Sequence, residues 1–98
     1  MSYDQGKLRY DLLPAHAMNE LALAATVGAN KHGERDWERR PGLRWSMFFG
    51  AIMRHAWSWW KGEIRDRDGQ HHLAAVAFSA LALIEYEHTN NGTDNRPR

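Results

Sequence analysis

The sequence contains no cysteine. That excludes a disulfide staple, a thiolate nucleophile and a cysteine-based zinc site, and leaves only oxygen and nitrogen donors for any metal. Charge of one sign is also missing: 13 Lys and Arg stand against 12 Asp and Glu, a formal net charge of +1. No long-range field of the kind that draws a protein onto duplex nucleic acid is therefore expected, so duplex nucleic acid is not an expected partner. Long apolar runs are absent too. The longest, LAAVAFSALALI, falls well short of the roughly 20 residues that cross a bilayer, and the opening MSYDQGKLRYDLLP has no apolar signal core. No membrane association is expected, and the cytoplasm is the expected compartment.

What remains is a chain of 98 residues, 43% hydrophobic and 26% charged, with five tryptophans, a globular composition of one domain's size. Its pattern predicts an all-α fold: a helical bundle of three main helices at about 15–32, 46–61 and 70–87. The first is opened by Pro14 and closed by Gly33, with Met18, Leu21, Ala25 and Gly28 on one stripe. The connection ERDWERRPGLRW stops helix propagation at Pro41 and Gly42. Ser46 is the expected cap of the second helix and Gly62 its C-terminal stop; Asp68 is the expected cap of the third. Residues 1–88 read as a single domain, and the polar TNNGTDNRPR end as a flexible, disordered tail over 89–98. Helices two and three are apolar nearly all round, and a domain this small gains from burying such surface against a copy of itself. Self-association as a homodimer or homotetramer is expected.

The chemistry-bearing residues gather in RHAWSWWKGEIRDRDGQHH, residues 54–72. Glu63 and Asp66 lie three apart after helix two, where carboxylates can hold Mg²⁺ or Mn²⁺ that keeps waters and phosphate oxygens as its other ligands. The plainer alternative is a solvated turn in which Arg65 and Arg67 neutralise those carboxylates. His55, mid-helix among aromatics, and His72, opening helix three, are placed by the helix hairpin near Glu63 and Asp66; taken alone, His55 reads first as a core histidine with one hydrogen bond. Lys31, Arg35 and Arg54 are candidate phosphate contacts, and Trp37 a candidate platform for a nucleobase, although the tryptophans serve as well to pack the bundle.

The segments KLRYDLLPAHAMNELA, GANKHGERDWER and RHAWSWWKGEIRDRDGQHHLAAVAFSALALIEYE together resemble the phage dATP/dGTP diphosphohydrolase family, MazZ-type relatives of the all-α MazG-like nucleotide pyrophosphohydrolases. The resemblance covers about residues 7–87. It rests on Arg9, Asp11, Leu12 and Pro14; on the turn from Gly28 to Gly33; on Trp37; on the Arg54–His55 pair; on Gly62, Glu63 and Asp66; and on Gly69 followed by His72, Leu73 and Ala74. It implies a metal-dependent enzyme, with Mg²⁺ or Mn²⁺, that cleaves a purine deoxynucleoside triphosphate to monophosphate and pyrophosphate, working as an oligomer in the cytoplasm of a phage's host. On that reading Glu63, Asp66, His55 and His72 are the catalytic and metal-ligating set, and Lys31, Arg54, Trp37 and Arg35 hold the purine nucleotide. Two departures from the family pattern keep open a second reading, a phage protein that binds and sequesters nucleotides or nucleotide-derived signals without turnover. Helices two and three lack the paired carboxylates of the wider superfamily, and Ala75 and Ser79 stand where close relatives carry His and Asn.

Overall fold

The computed structural model describes residues 6–98. Three helices carry it: α1 (Ala15–His32), α2 (Trp45–Trp60) and α3 (His72–Thr89), with short 3-10 turns at Tyr10–Leu12 and Asp36–Glu38. No strand occurs among the described residues, so the chain is all-α as its periodicity implies. The expected helix limits are met to within two residues. Pro14 stands immediately before α1 and Gly33 ends it. At the end of α2 the Gly62 amide donates to the Trp59 carbonyl at 2.9 Å and the Glu63 amide to the Ser58 carbonyl at 3.1 Å. This pairing turns the chain sharply off the helix and needs the positive φ of Gly62, 104°. The first turn of α3 is capped by His71, whose Nδ1 accepts the Leu73 amide at 3.0 Å. The expected cap, Asp68, is occupied inside the preceding loop.

α2 and α3 form an antiparallel hairpin. Along α3 the buried residues His72, Ala75, Ser79, Ala82 and Tyr86 recur at intervals of three and four, a stripe that lies on α2. Most are small, so the two backbones approach closely. The apolar core sits at the far end from the hairpin loop, where Phe48, Ala82 and Tyr86 are joined by Trp37, Trp45 and Leu83. Tyr86, 1% exposed, donates its hydroxyl to the Trp37 carbonyl at 2.5 Å and accepts the Leu43 amide at 3.1 Å. Gly42 is required beside it: a Cβ there would stand 2.8 Å from the Tyr86 hydroxyl and 2.6 Å from Asn91 Oδ1.

Two expectations are corrected here. The tail expected to be disordered folds back onto the start of α2. Asn91 is buried and donates Nδ2 to the Glu38 carbonyl at 2.9 Å, while its own carbonyl accepts Trp45 Nε1 at 3.0 Å. The Thr93 carbonyl accepts the Trp45 amide and Asn95 Oδ1 accepts the Ser46 amide, both at 3.0 Å. The orphan N–H groups of α2 are thus capped from the other end of the chain, and Ser46 receives a cap instead of supplying one. The tryptophans also divide. Trp37 and Trp45 pack on the core, whereas Trp57 and Trp60, expected to pack α2 into the bundle, are 57% and 73% exposed. α1 is docked lightly: Ala24 is its only buried residue, and two ion pairs tie it to the hairpin loop.

Candidate functional site

The loop from Lys61 to His71 is a closed structure. The Asp66 amide donates to the Gln70 carbonyl, the Gly69 amide to the Asp66 carbonyl, and the His72 amide to the Ile64 carbonyl, at 2.9, 2.9 and 3.0 Å. Arg65 buttresses it from outside, reaching both carboxylate oxygens of Glu20 on α1 at 2.9 and 2.7 Å and the Gly69 carbonyl at 2.9 Å. The Arg65 guanidinium holds the Glu20 carboxyl below its usual range. At the other end of α1, Lys31 Nζ meets Asp68 Oδ2 at 2.5 Å. Burial raises the Asp68 pKa, but the Lys31 ammonium and the two Gln70 donors together outweigh it and hold the carboxyl below the ordinary value. The arginines are therefore not neutralising Glu63 and Asp66, as the plainer reading of the turn supposed: Arg65 is drawn to Glu20, and Asp66 makes no ion pair among the described residues.

With the loop so fixed, His55, Asp66 and His72 converge. One ring nitrogen from each histidine and one Asp66 oxygen all lie within 4.8 Å of one another. His55 Nδ1 and His72 Nδ1 are 2.8 Å apart, and His72 Nε2 is 2.9 Å from Glu63 Oε1. The network dictates the tautomers. A Glu63 carboxylate only accepts, so His72 Nε2 carries the proton and the His72 Nδ1 lone pair accepts one from His55 Nδ1, leaving the His55 Nε2 lone pair available. His72 is 2% exposed. The His55 pKa is lowered, first by burial, then by the neighbouring His72, and slightly by Arg54. Asp66 Oδ1 accepts the Arg67 amide at 2.8 Å, and its Oδ2 has no hydrogen bond among the described residues.

Two nitrogens and a carboxylate oxygen in this arrangement suit a divalent metal, which would take the place of the proton between the imidazoles. Glu63, expected as a ligand, is not in the converging set. It is the orienting partner of His72, on the nitrogen that faces away from His55.

The nucleotide candidates are less concentrated. Lys31 lines a cleft of about 430 Å³ with Asp66, Arg67 and Asp68, so two cations, Lys31 and Arg67, border the converging set. Arg54, adjacent in sequence to His55, folds its guanidinium back over Gly50, with one nitrogen 3.2 Å from where a Cβ on that glycine would stand. Arg35 pairs with Glu38 at 2.6 Å. Trp37, the stacking candidate, is partly buried, with its ring packed against Phe78 and Tyr86 at centroid distances of 5.8 and 6.1 Å on the margin of the core. Sequence reasoning missed the Glu20–Arg65 and Lys31–Asp68 pairs, because both partners are separated by 37 residues or more and no local pattern couples them.

A family model described as dATP/dGTP diphosphohydrolase, N-terminal, matches residues 1–96. Among curated proteins, a dATP/dGTP diphosphohydrolase of Salmonella phage PMBT28 is 29% identical over 98 residues, covering all of this chain and 33% of its own length. The chain thus spans about a third of the relative it matches. No solved structure matches it significantly.

Proposed function

This chain belongs to the dATP/dGTP diphosphohydrolase N-terminal family, and from that premise we propose that it hydrolyses purine deoxynucleoside triphosphates, dGTP or dATP, to the monophosphate and pyrophosphate with the help of Mg²⁺ or Mn²⁺. The observation that carries the reading is the convergence of His55, Asp66 and His72 beside the cleft bordered by Lys31. A divalent ion held there would polarise phosphate oxygens and lower the pKa of a bound water. The chain's own groups supply the rest. Lys31 neutralises charge on the phosphates, and Glu63 fixes the His72 tautomer and with it the lone pair that faces the metal. Arg54 joins Lys31 once its guanidinium leaves Gly50. Incubation with dGTP and dATP in the presence of either metal tests this, with monophosphate and pyrophosphate as the expected products.

The second reading, sequestration without turnover, is favoured by one feature of α3. Beyond His72 its buried stripe continues with Ala75 and Ser79, which add no ligand where relatives are read to have His and Asn. Calorimetric binding of dGTP without product formation would establish it in place of the first.

The same proposal includes self-association. The chain exposes 7758 Å², against roughly 5700 Å² for a compact monomer of its mass. Its radius of gyration is 15.0 Å, against roughly 12.6 Å for its length. Phe49, Met53, Trp57 and Trp60 recur at helical spacing on one exposed side of α2. Their burial in a homodimer or homotetramer would cover an apolar stripe that each chain otherwise leaves to solvent.

A further inference from the structure

From the geometry of the histidine pair we infer that the resident ion of this site is a nitrogen-seeking first-row metal, Co²⁺, Fe²⁺ or Zn²⁺ ahead of Mn²⁺ and Mn²⁺ ahead of Mg²⁺, held by His55, Asp66 and His72. The inference deepens the reading of this site as a metal-dependent phosphohydrolase centre, and rests on it for what the ion would do. The binding claim itself stands on the donors.

Two imidazole lone pairs do not face one another across 2.8 Å unless something positive lies between them. In the metal-free protein that is a single shared proton. Two imidazole nitrogens bound to one ion at roughly 2.0–2.1 Å stand roughly 2.9–3.4 Å apart, depending on the angle at the metal. The ring separation already present therefore needs only a small expansion to admit an ion in place of the proton. Four further features support a fixed site. His72 is 2% exposed and cannot reorient freely. Its far nitrogen is held by Glu63 at 2.9 Å, the carboxylate–histidine arrangement that orients a metal ligand. Asp66 is locked by backbone bonds to Gly69 and Gln70. No cation is paired with Asp66 among the described residues.

A set of two nitrogens and one oxygen follows the first-row affinity order and disfavours Mg²⁺, which dehydrates reluctantly and prefers oxygen donors. Mg²⁺ then arrives on the triphosphate, not on the protein. The two ions divide the work: the resident one is chosen by imidazole, the travelling one by phosphate.

The test uses the chain stripped with a chelator and titrated with Co²⁺, with no nucleotide present. The expected result is a visible d–d absorption band that saturates at one ion per chain and survives Mg²⁺ in about hundredfold excess. His55→Gln and Asp66→Asn alter partly exposed positions, so circular dichroism should report an unchanged helix content while Co²⁺ affinity falls about tenfold or more. Glu63→Gln should weaken Co²⁺ binding about tenfold without moving the band, because it orients a ligand and is not one. The inference is overturned if Mg²⁺ displaces Co²⁺ at equal concentration, if folded His55→Gln binds Co²⁺ as the parent does, or if no band forms. A chain that binds Co²⁺ through these residues yet cleaves no dGTP would retain this inference and lose the hydrolase reading. One that cleaves dGTP with Mg²⁺ while giving no band would do the reverse.

Discussion

His55 and His72, 17 positions apart in the chain, place their Nδ1 atoms 2.8 Å from each other. The contact exists because α2 and α3 are antiparallel and the loop between them is closed by its own backbone bonds, so residues near the end of one helix and the start of the next are brought face to face. A change that loosens the hairpin loop reaches the site through this pair.

Glu63 acts on that pair from outside. Glu63→Gln keeps the side chain's volume and removes the charge that fixes the His72 proton on Nε2. Turnover of dGTP should fall roughly 10–100-fold with the fold intact, read by steady-state kinetics alongside circular dichroism. A drop in helix content would instead mark Glu63 as structural.

Tyr86→Phe removes a hydroxyl that satisfies both the Trp37 carbonyl and the Leu43 amide. Leaving two partly buried backbone groups unpaired should cost about 1–3 kcal/mol. Each 1 kcal/mol should lower Tm by about 4–8 °C in a domain this size. Thermal and urea melts check this.

Asn95→Ala removes the side chain that accepts the Ser46 amide and donates to the Ser46 hydroxyl. Loss of a helix cap costs about 0.5–2 kcal/mol, and hydrogen exchange at Ser46 should quicken selectively. Unchanged exchange there would show that the C-terminal segment does not cap α2 in solution.

The Glu20–Arg65 pair gives stability a pH dependence of known sign. Arg65 depresses the Glu20 pKa below its ordinary value, so the stabilisation is complete above the unfolded pKa of about 4.3 and is lost as pH falls through the lower folded value. Between about pH 5 and pH 2, Glu20→Gln should therefore show a shallower loss of stability with acid than the parent chain. Parallel slopes in denaturant melts across that range would contradict it.

Trp60→Glu places a charge on the exposed apolar side of α2, where Trp60 is 73% exposed. Sedimentation velocity at low micromolar concentration should show the parent as a dimer or larger and the variant shifted toward monomer, with little change in helix content. A parent chain that sediments as a folded monomer would remove self-association from the proposed function.

The helices were legible because they depend on neighbours three or four residues away. Pro14, Gly33 and Gly62 mark ends that the structure retains, and the alanine-rich centre of α3 announces close packing. The residues of the site were legible as a group, since a short loop between two helices confines His55, Glu63, Asp66 and His72 to one end of a hairpin whatever its details.

Their roles were not. Whether Glu63 or Asp66 joins the histidines depends on which way a closed loop turns each carboxylate, and that is fixed by Arg65 reaching Glu20 on another helix. Trp37 and Trp57 look alike as letters, yet one meets Phe78 and Tyr86 while the other meets no core. The TNNGTDNRPR end reads as disordered by composition, but Asn91, Thr93 and Asn95 are hydrogen-bonding groups of the kind that satisfy bare helix ends, and the end they satisfy begins at Trp45. Sequence by itself determined helix positions, donor types and the exclusion of thiol chemistry, because those follow from local backbone preference and side-chain identity. Tertiary structure alone decided which lone pair faces which proton and which indole is buried, because those depend on contacts between residues that only folding brings together.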